Sequence, residues 1–309
     1  MGTPDFAKES LEAIYEKGHN IVSVVTNPDK PKGRGMKMIA SPVKEFAISK
    51  NLPIYQPTTV KNNTEFIKEI QAQNPDIICV VAYGKILPKE ILEIPKYGCI
   101  NVHASLLPKY RGAAPIQWAI LNGETLTGVT TMYMDTGMDT GDMILKETVT
   151  IGEDETTGEL WSRLSKIGGE LLVKTIEQIE SGNALREPQG NNFSMAPMLS
   201  KEMAKINWQT KTSREIKNLV RGLNPIMGAY TIYQNKKIKL WKIEIVENIE
   251  ETKNKLPGQI IVANDKQGLF IKTKDGMIKV LEIQGENAKR MNTCDFLRGN
   301  PMEVGEILG

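Results

Sequence analysis

The sequence predicts an α/β protein in which a doubly wound, mainly parallel sheet is followed by a small antiparallel β-barrel of OB-like type. Three observations predict this fold class. The chain has 309 residues, a length typical of about two domains. Strand and helix patterns alternate up to residue 182, which favours parallel βαβ units. From residue 204 onwards short strands are separated by turns, which favours an antiparallel barrel or sandwich.

The first part of the chain contains five predicted strands and several helices. The strand segments are apolar and lie at 21–25, 76–82, 99–103, 128–134 and 143–148. Thr3 and Ser41 each precede a proline, the pattern of a helix cap followed by proline at the first helical position. The longest predicted helix covers 157–181, where apolar residues recur at helical spacing: Leu160, Leu164, Ile167 and Leu171.

The character of the chain changes after Gly182. Residues 183–203 are polar and without a clear period, so they are predicted to form a linker. Beyond them one helix pattern is followed by short β-rich runs, and Asp275-Gly276 is a strong hairpin signal. The predicted domains are therefore 1–182 and 204–309, joined by the linker.

Composition and cysteine usage exclude several classes of protein. The net charge is only +2, so bulk charge does not indicate nucleic-acid binding. Three scattered cysteines without CxxC spacing argue against a disulfide framework and a zinc site, which fits a cytoplasmic protein. The chain has no apolar stretch near the ~20 residues of a membrane span, and its first residues lack the layout of a signal peptide. We therefore expect neither a membrane partner nor a metal.

Asn101 and His103 are the first candidates for chemistry. Residues two apart on a strand face the same way, so the two side chains project together from the strand at 99–103. They lie at the carboxyl end of a strand in an open α/β sheet, where such folds place their ligands. From these facts alone, a histidine that packs or caps a loop is as well supported as a catalytic one.

Two later segments add to this candidate site. The loop from Ser105 to Pro115 holds prolines and a glycine and little that could form a core, and such loops commonly carry function. The run from Asp135 to Asp142 has three acids and two glycines. It lacks the alternating aspartates and the glutamate at the twelfth position of a calcium-binding EF-hand, so the alternative is a polar turn.

These segments together resemble the folate-dependent formyltransferases. The resemblance rests on Asn-Val-His, on Ser-Leu-Leu-Pro-x-Tyr-Arg-Gly and on the later Asp-Thr-Gly-Asp. It implies an active site of Asn101, His103 and Asp139, since Asp139 is the aspartate that precedes Thr-Gly-Asp. It also implies 10-formyltetrahydrofolate as co-substrate, with no metal. The residues implied to line the folate site are Ser105, Leu106, Leu107 and Pro108, with Tyr83 and Ile86 of Ala-Tyr-Gly-x-Ile-Leu-Pro.

The expected chemistry explains these residue types. When an amine attacks the formyl carbon, negative charge develops on the formyl oxygen, and the amide of Asn101 can stabilise it. His103 can move a proton from the amine toward the departing folate nitrogen, because histidine titrates near neutral pH. A carboxylate such as Asp139 would favour the imidazolium and orient the ring.

The resemblance covers nearly the whole chain, and in its full extent it points to members of the family that act on initiator methionyl-tRNA. The segment 29–37 carries four positive charges and one negative, and it could contact phosphates. The resemblance implies that this basic loop contacts the tRNA acceptor arm, with Arg34 as the main contact beside Lys30, Lys32 and Lys37. The segment 201–245 holds ten Lys or Arg and three Glu, a charge of +7, so the rest of the chain carries about −5.

Two rival functions remain open at this point. One is a folate formyltransferase that acts on a sugar nucleotide, which would not need the basic loop. The other is a nonenzymatic RNA-binding protein, which would not need Asn101, His103 and Asp139. We expect a monomer with initiator methionyl-tRNA and tetrahydrofolate as its partners.

The beginning of the chain departs from the family pattern. An apolar strand normally precedes Gly-Thr-Pro-Asp, and here only Met1 does. In a doubly wound sheet this first strand is central. Because the sequence lacks it, we expect native translation to begin about half a dozen residues before Met1.

Overall fold

The computed structural model describes residues 1–32, 37–246 and 253–309, and it divides into two compact units. Unit 1 comprises 1–115, 126–150 and 161–197. Unit 2 comprises 116–125, 151–160 and 198–309. Each unit is described by itself below.

The chain contains eight α-helices and fourteen strands among the described residues. The helices are α1 (Asp5–Glu16), α2 (Pro42–Ser49), α3 (Thr64–Gln73), α4 (Lys89–Leu92), α5 (Pro115–Leu121), α6 (Thr157–Glu180), α7 (Ser213–Gly222) and α8 (Thr293–Gly299). The strands of unit 1 are β1 (Val24–Val25), β2 (Lys30–Lys32), β3 (Lys37–Ile39), β4 (Ile54–Tyr55), β5 (Ile78–Val80), β6 (Cys99–His103), β7 (Leu126–Tyr133) and β8 (Met143–Thr150). Those of unit 2 are β9 (Ala229–Tyr233), β10 (Lys236–Val246), β11 (Ile260–Asn264), β12 (Gly268–Lys272), β13 (Met277–Gln284) and β14 (Met291–Asn292).

The sheet of unit 1 is mixed, so the prediction of a mainly parallel sheet was wrong for its second half. Four of its strands form one continuous sheet in the order β5-β6-β7-β8. β5 and β6 are parallel, as a helix-containing crossover allows, and β1 is parallel to β4. β7 runs antiparallel to β6, and β8 returns beside β7 as a hairpin. The alternation of strands and helices in the sequence did not reveal these two reversals.

Helices cover both faces of this sheet, as predicted for a doubly wound fold. On one face, Gly168 of α6 lies so close to Val102 and Val129 that an added Cβ would sit 3.0 and 3.6 Å from their side chains. On the other face, Phe66 of α3 and Ile91 of α4 join a core cluster with residues of β5. Cys99 belongs to that second cluster, so Asn101 and His103, two and four residues later on β6, share its face.

Met1 and Gly2 lie between β1 and β5. The Gly2 amide donates to Val25 O at 2.9 Å, and the Val81 amide donates to Met1 O at 2.9 Å. The Met1 amine donates to Cys79 O at 2.6 Å, and its burial lowers the pKa of this amine. A cavity of about 500 Å³ adjoins these two residues. Two residues therefore occupy the place where a doubly wound sheet has its central strand.

The sheet of unit 2 is antiparallel, in the order β11-β12-β13-β10-β9, with β14 paired to β13. Among the described residues its strands do not close into a barrel, so the OB-like barrel stays a prediction. The carboxyl-terminal tail forms hydrogen bonds beside both edge strands of this sheet. The Leu308 amide donates to Gly258 O, just before β11, and the Gly309 amide donates to Ile232 O of β9. α7 packs on this sheet with Ile216, Leu219 and Val220 in one core.

No helix in the part of the chain that the structure describes is long and apolar enough to span a membrane. The same residues contain no group of three or more His, Cys, Asp or Glu side chains that could hold a metal ion.

Candidate active site

β6 presents Asn101 and His103 at the carboxyl end of the parallel half of the sheet. Asn101 lies beside Val80 of β5 and Met132 of β7, and His103 lies opposite Thr130. Strands on both sides fix the backbone of β6, so the two side chains have a rigid base. His103 is buried, and Asn101 is half-buried.

The structure brings Asp139 to these two side chains across 38 residues of sequence from Asn101 and 36 from His103. Its Oδ2 lies 3.6 Å from His103 Nδ1, and its Oδ1 accepts a hydrogen bond from Asn101 Nδ2 at 3.4 Å. The Gly112 amide donates to Oδ2 at 2.8 Å. The three predicted catalytic residues therefore form one cluster, with the carboxylate as its common partner.

The hydrogen bonds of His103 assign a role to each ring nitrogen. Nε2 lies 2.8 Å from Tyr110 O. A carbonyl oxygen only accepts, so Nε2 carries the hydrogen of this bond. Nδ1 is then the ring atom that faces the Asp139 carboxyl group.

The loop 105–112 is held in place by polar contacts to β7. Thr130 Oγ1 donates to Ser105 O at 2.7 Å and accepts from the Leu107 amide at 3.1 Å. Ser105 Oγ donates to Lys109 O at 2.6 Å. The Leu107 side chain is buried in a small cluster with Met132 and Met143, whereas Leu106 and Pro108 are half-buried. Of the predicted folate residues, the structure places Leu107 and Tyr83 in buried core clusters.

Tyr83 and Ile86 lie in the segment after β5. The Tyr83 ring is buried, and this burial raises the pKa of its hydroxyl to about 12. Its main-chain oxygen accepts from Asn27 Nδ2 at 2.9 Å. Ile86 is 80% exposed. Among the described residues, neither side chain joins the hydrogen bonds of the Asn101–His103–Asp139 cluster.

The predicted basic loop is partly described. Lys30 is exposed on β2, and β2 and β3 form a hairpin in which Lys32 pairs with Lys37. Arg34 lies outside the described residues. Asp29 anchors the start of the hairpin through Lys44 Nζ at 2.6 Å, and this hydrogen bond lowers the pKa of the Asp29 carboxyl.

The segment 187–196 is a part of the site that sequence reasoning missed. It belongs to the predicted linker, yet it lies along the loop 105–112 in unit 1. The Arg111 amide donates to Ser194 O at 2.9 Å, and the Ala196 amide donates to Arg111 O at 2.7 Å. Ser194 Oγ accepts from the Tyr110 amide at 2.9 Å, so this segment also supports the carbonyl that holds His103. A polar segment without periodicity carries no signal for such contacts.

This arrangement can stabilise an oxyanion and move a proton in one place. The Asn101 amide is a neutral hydrogen-bond donor, the His103 imidazole is a group of the kind that acts in general acid–base catalysis, and the Asp139 carboxyl group lies beside both. Those functions suit acyl transfer to a nucleophile that must lose a proton.

Comparison with known proteins assigns the family. Residues 1–176 match the formyl transferase family, and residues 198–301 match the formyl transferase carboxyl-terminal domain. The chain belongs to the formyl transferase family.

The relatives that it matches over its full length are more specific. Methionyl-tRNA formyltransferase of Clostridioides difficile is 52% identical, with 100% of this chain and 98% of the relative aligned. Methionyl-tRNA formyltransferase of Caldanaerobacter subterraneus is 48% identical, with 100% and 98% aligned. A crystal structure of an N-formyltransferase from Helicobacter canadensis, in complex with folinic acid and dTDP-3-aminofucose, has a TM-score of 0.66. It is 22% identical and aligns with 92% of this chain and 97% of its own, so it shows the shared fold.

Proposed function

We propose that this protein transfers the formyl group of 10-formyltetrahydrofolate to the amino group of methionine on initiator methionyl-tRNA, for translation initiation. The observation that carries the proposal is the Asn101–His103–Asp139 cluster in a chain similar over its full length to methionyl-tRNA formyltransferases. In this reaction the amine nitrogen bonds to the formyl carbon, and the bond from that carbon to the folate nitrogen breaks. One proton leaves the amine and one reaches the folate nitrogen, so the exchange balances.

The side chains have separate roles in this mechanism. Asn101 donates to the formyl oxygen as it gains negative charge. His103 relays the proton through Nδ1, while its Nε2–H bond to Tyr110 O keeps the ring in place. Asp139 stabilises the charged ring and orients both partners. The loop Ser105–Pro108, with Tyr83 and Ile86, lines the folate site in this proposal.

In this proposal, positively charged side chains of the protein select tRNA as the formyl acceptor. We assign the tRNA contacts to Lys30, Lys32, Arg34 and Lys37 of the basic loop, because cationic side chains bind phosphates and position the nucleic acid. The +7 segment 201–245 supports a second tRNA contact on residues 204–309. We assign catalysis to residues 1–182 and the connection between the two domains to residues 183–203, whose segment 187–196 also borders the candidate site. Because charged initiator tRNA is used in translation, we also propose that the enzyme acts in the cytoplasm. We further propose that it is a monomer.

A direct assay tests the acceptor. The purified protein is incubated with 10-formyltetrahydrofolate and initiator tRNA charged with radioactive methionine, and the formylated product is separated from the substrate. A second reaction offers a dTDP-linked amino sugar. We expect formylation of the tRNA alone. Formylation of the sugar alone would establish the rival acceptor, and tRNA binding without any formyl transfer would establish a nonenzymatic RNA-binding protein.

A further inference from the structure

Gln189 makes three hydrogen bonds that tie the catalytic aspartate to the loop beside it. Its Nε2 donates to Asp139 O at 2.8 Å and to Gly141 O at 2.9 Å. Its Oε1 accepts from Arg111 Nε at 2.9 Å. The side chain is half-buried, and it lies in the segment 187–196 that runs along the loop 105–112.

The partners of Gln189 determine how its amide is oriented. Two of them are carbonyl oxygens, which only accept, and the third is a guanidinium N–H, which only donates. The amide nitrogen must therefore face the carbonyls, and the amide oxygen must face Arg111. Both amide hydrogens and one acceptor site are used, so a carboxylate of the same shape could not replace this amide.

These bonds belong to a closed ring around Asp139. Arg111 donates to Gln189, and the next residue, Gly112, donates its amide hydrogen to Asp139 Oδ2 at 2.8 Å. Gln189 returns to Asp139 through the main-chain oxygen. Asp139 has a left-handed backbone, with φ of 54°, which a non-glycine residue keeps only when its surroundings hold it.

We propose that Gln189 is a positioning residue for formyl transfer, which holds the Asp139 backbone so that the carboxylate faces His103 and Asn101. This role rests on the proposed function for its kinetic consequence. It does not rest on it for the geometry, which concerns only the placement of Asp139 against His103.

Two substitutions separate hydrogen bonding from shape. Gln189→Glu keeps the size and the acceptor for Arg111, but it sets a carboxylate oxygen against two carbonyl oxygens. Gln189→Met keeps a similar length and removes all three bonds. We expect both to lower kcat by about 10- to 100-fold, the scale seen when a group that orients a catalytic residue is lost. The KM values for folate and tRNA should stay within about twofold, because substrate contacts are intact.

Gln71→Glu is the matched control. It introduces the same charge at an exposed position of unit 1, in α3, and should retain wild-type kcat and KM.

Imidazole NMR measures the placement directly. The chain has only two histidines, so ¹⁵N-labelled histidine gives one set of ring signals for His103 and one for His19. We expect Gln189→Glu and Gln189→Met to move the His103 signals and to leave those of His19 unchanged. This readout separates a positioning role from a general loss of structure, which would move both.

The outcomes are distinct. Lower kcat with moved His103 signals in either folded variant supports the proposal. Wild-type kcat in both variants, or a lower kcat with unchanged His103 signals, would overturn it. If the wild-type protein formylates no tRNA, the proposed function fails, and the His103 signals alone then decide whether Gln189 positions Asp139.

Discussion

At the residue scale, the cluster shows how one carboxylate, that of Asp139, contacts the two candidate catalytic side chains on β6. Asp139 takes one contact from each of Asn101 and His103 and is itself held by the Gly112 amide. His103 is fixed at its far nitrogen by a main-chain carbonyl. A histidine that only packed in the core would not need a carboxylate partner on one side and a main-chain carbonyl partner on the other.

Removal of either side chain on β6 should therefore abolish most of the activity. We expect His103→Ala and Asn101→Ala each to lower turnover by at least ~100-fold, the usual scale for one general acid–base or oxyanion group. Turnover is measured with saturating 10-formyltetrahydrofolate and charged initiator tRNA. His19→Ala, which changes the other histidine in the turn after α1, is the control and should keep full activity. Near-normal turnover in folded His103→Ala protein would refute the assigned mechanism.

At the element scale, the loop 105–112 and the segment 187–196 must approach closely for the site to form. Gly112 has φ of 121°, and an added Cβ would lie 2.8 Å from Ala196 O. Only glycine combines this backbone conformation with such a contact. The amide of Gly112 also donates to Asp139, so the close approach of the two segments helps to position the carboxylate of the cluster.

Gly112→Ala should separate these two segments. We expect a loss of about 1–3 kcal/mol in the free energy of unfolding, typical of backbone strain at one residue, together with lower turnover. Urea unfolding and the formylation assay measure the two effects. Gly190→Ala, in the segment 187–196, is the matched control, because nothing lies within 4 Å of its added Cβ and its φ is not in the left-handed region. Equal behaviour of the two variants would show that the close approach at Gly112 is unimportant.

The different burial of the three cysteines predicts the order in which their thiols react. Burial raises the pKa of the Cys79 thiol to about 11 and that of Cys99 to about 12. Thiolate is the reactive form, so both should react slowly at pH 8. Cys79 borders the cavity beside Met1, whereas Cys99 is packed in the core, and Cys294 of α8 is half-exposed.

We expect iodoacetamide to modify Cys294 first, Cys79 next and Cys99 last in the native protein at pH 8. Modification of Cys79 and Cys99 should accelerate as the pH rises toward 11 and 12. Short labelling pulses followed by peptide mass spectrometry measure the order. Urea-unfolded protein, in which all three should react at similar rates, is the control. Fast labelling of Cys99 at pH 8 would contradict its burial in the folded state.

At the scale of the whole molecule, charge is distributed unevenly along the chain. The segment 201–245 carries +7, while the net charge is +2. The basic loop adds four positive charges within nine residues. Phosphate binding by such groups releases counterions, so tRNA use should depend on ionic strength more strongly than use of the small folate.

Arg34→Ala tests whether the basic loop 29–37 contributes to this salt-dependent binding of tRNA. We expect the KM for charged tRNA to rise with salt, and Arg34→Ala to raise it further while reducing the slope of log KM against log salt by roughly 0.7–0.9, the value for one phosphate contact. Slow hydrolysis of 10-formyltetrahydrofolate without tRNA should stay unchanged. Lys96→Ala removes an exposed charge elsewhere in unit 1 and should leave the slope as in the wild type. Equal loss of tRNA use and folate hydrolysis in Arg34→Ala would contradict the role of the loop.

Local patterns alone determined a large part of this protein. The period of two along a strand was enough to put Asn101 and His103 on one face of β6, and helical spacing was enough to predict α6. The family resemblance identified Asp139, because its motif spacing is readable without any structure. These features depend on residues that are near in sequence or belong to a recognisable motif.

Only the tertiary structure decided the rest. β7 runs antiparallel to β6 and β8 runs antiparallel to β7, and the polar segment 187–196 lies against the loop 105–112. Gln189 meets Asp139 across 50 residues of sequence. Strand direction and such distant hydrogen bonds leave no local period in the sequence, because they are set by how packed elements meet in space rather than by the preferences of neighbouring residues.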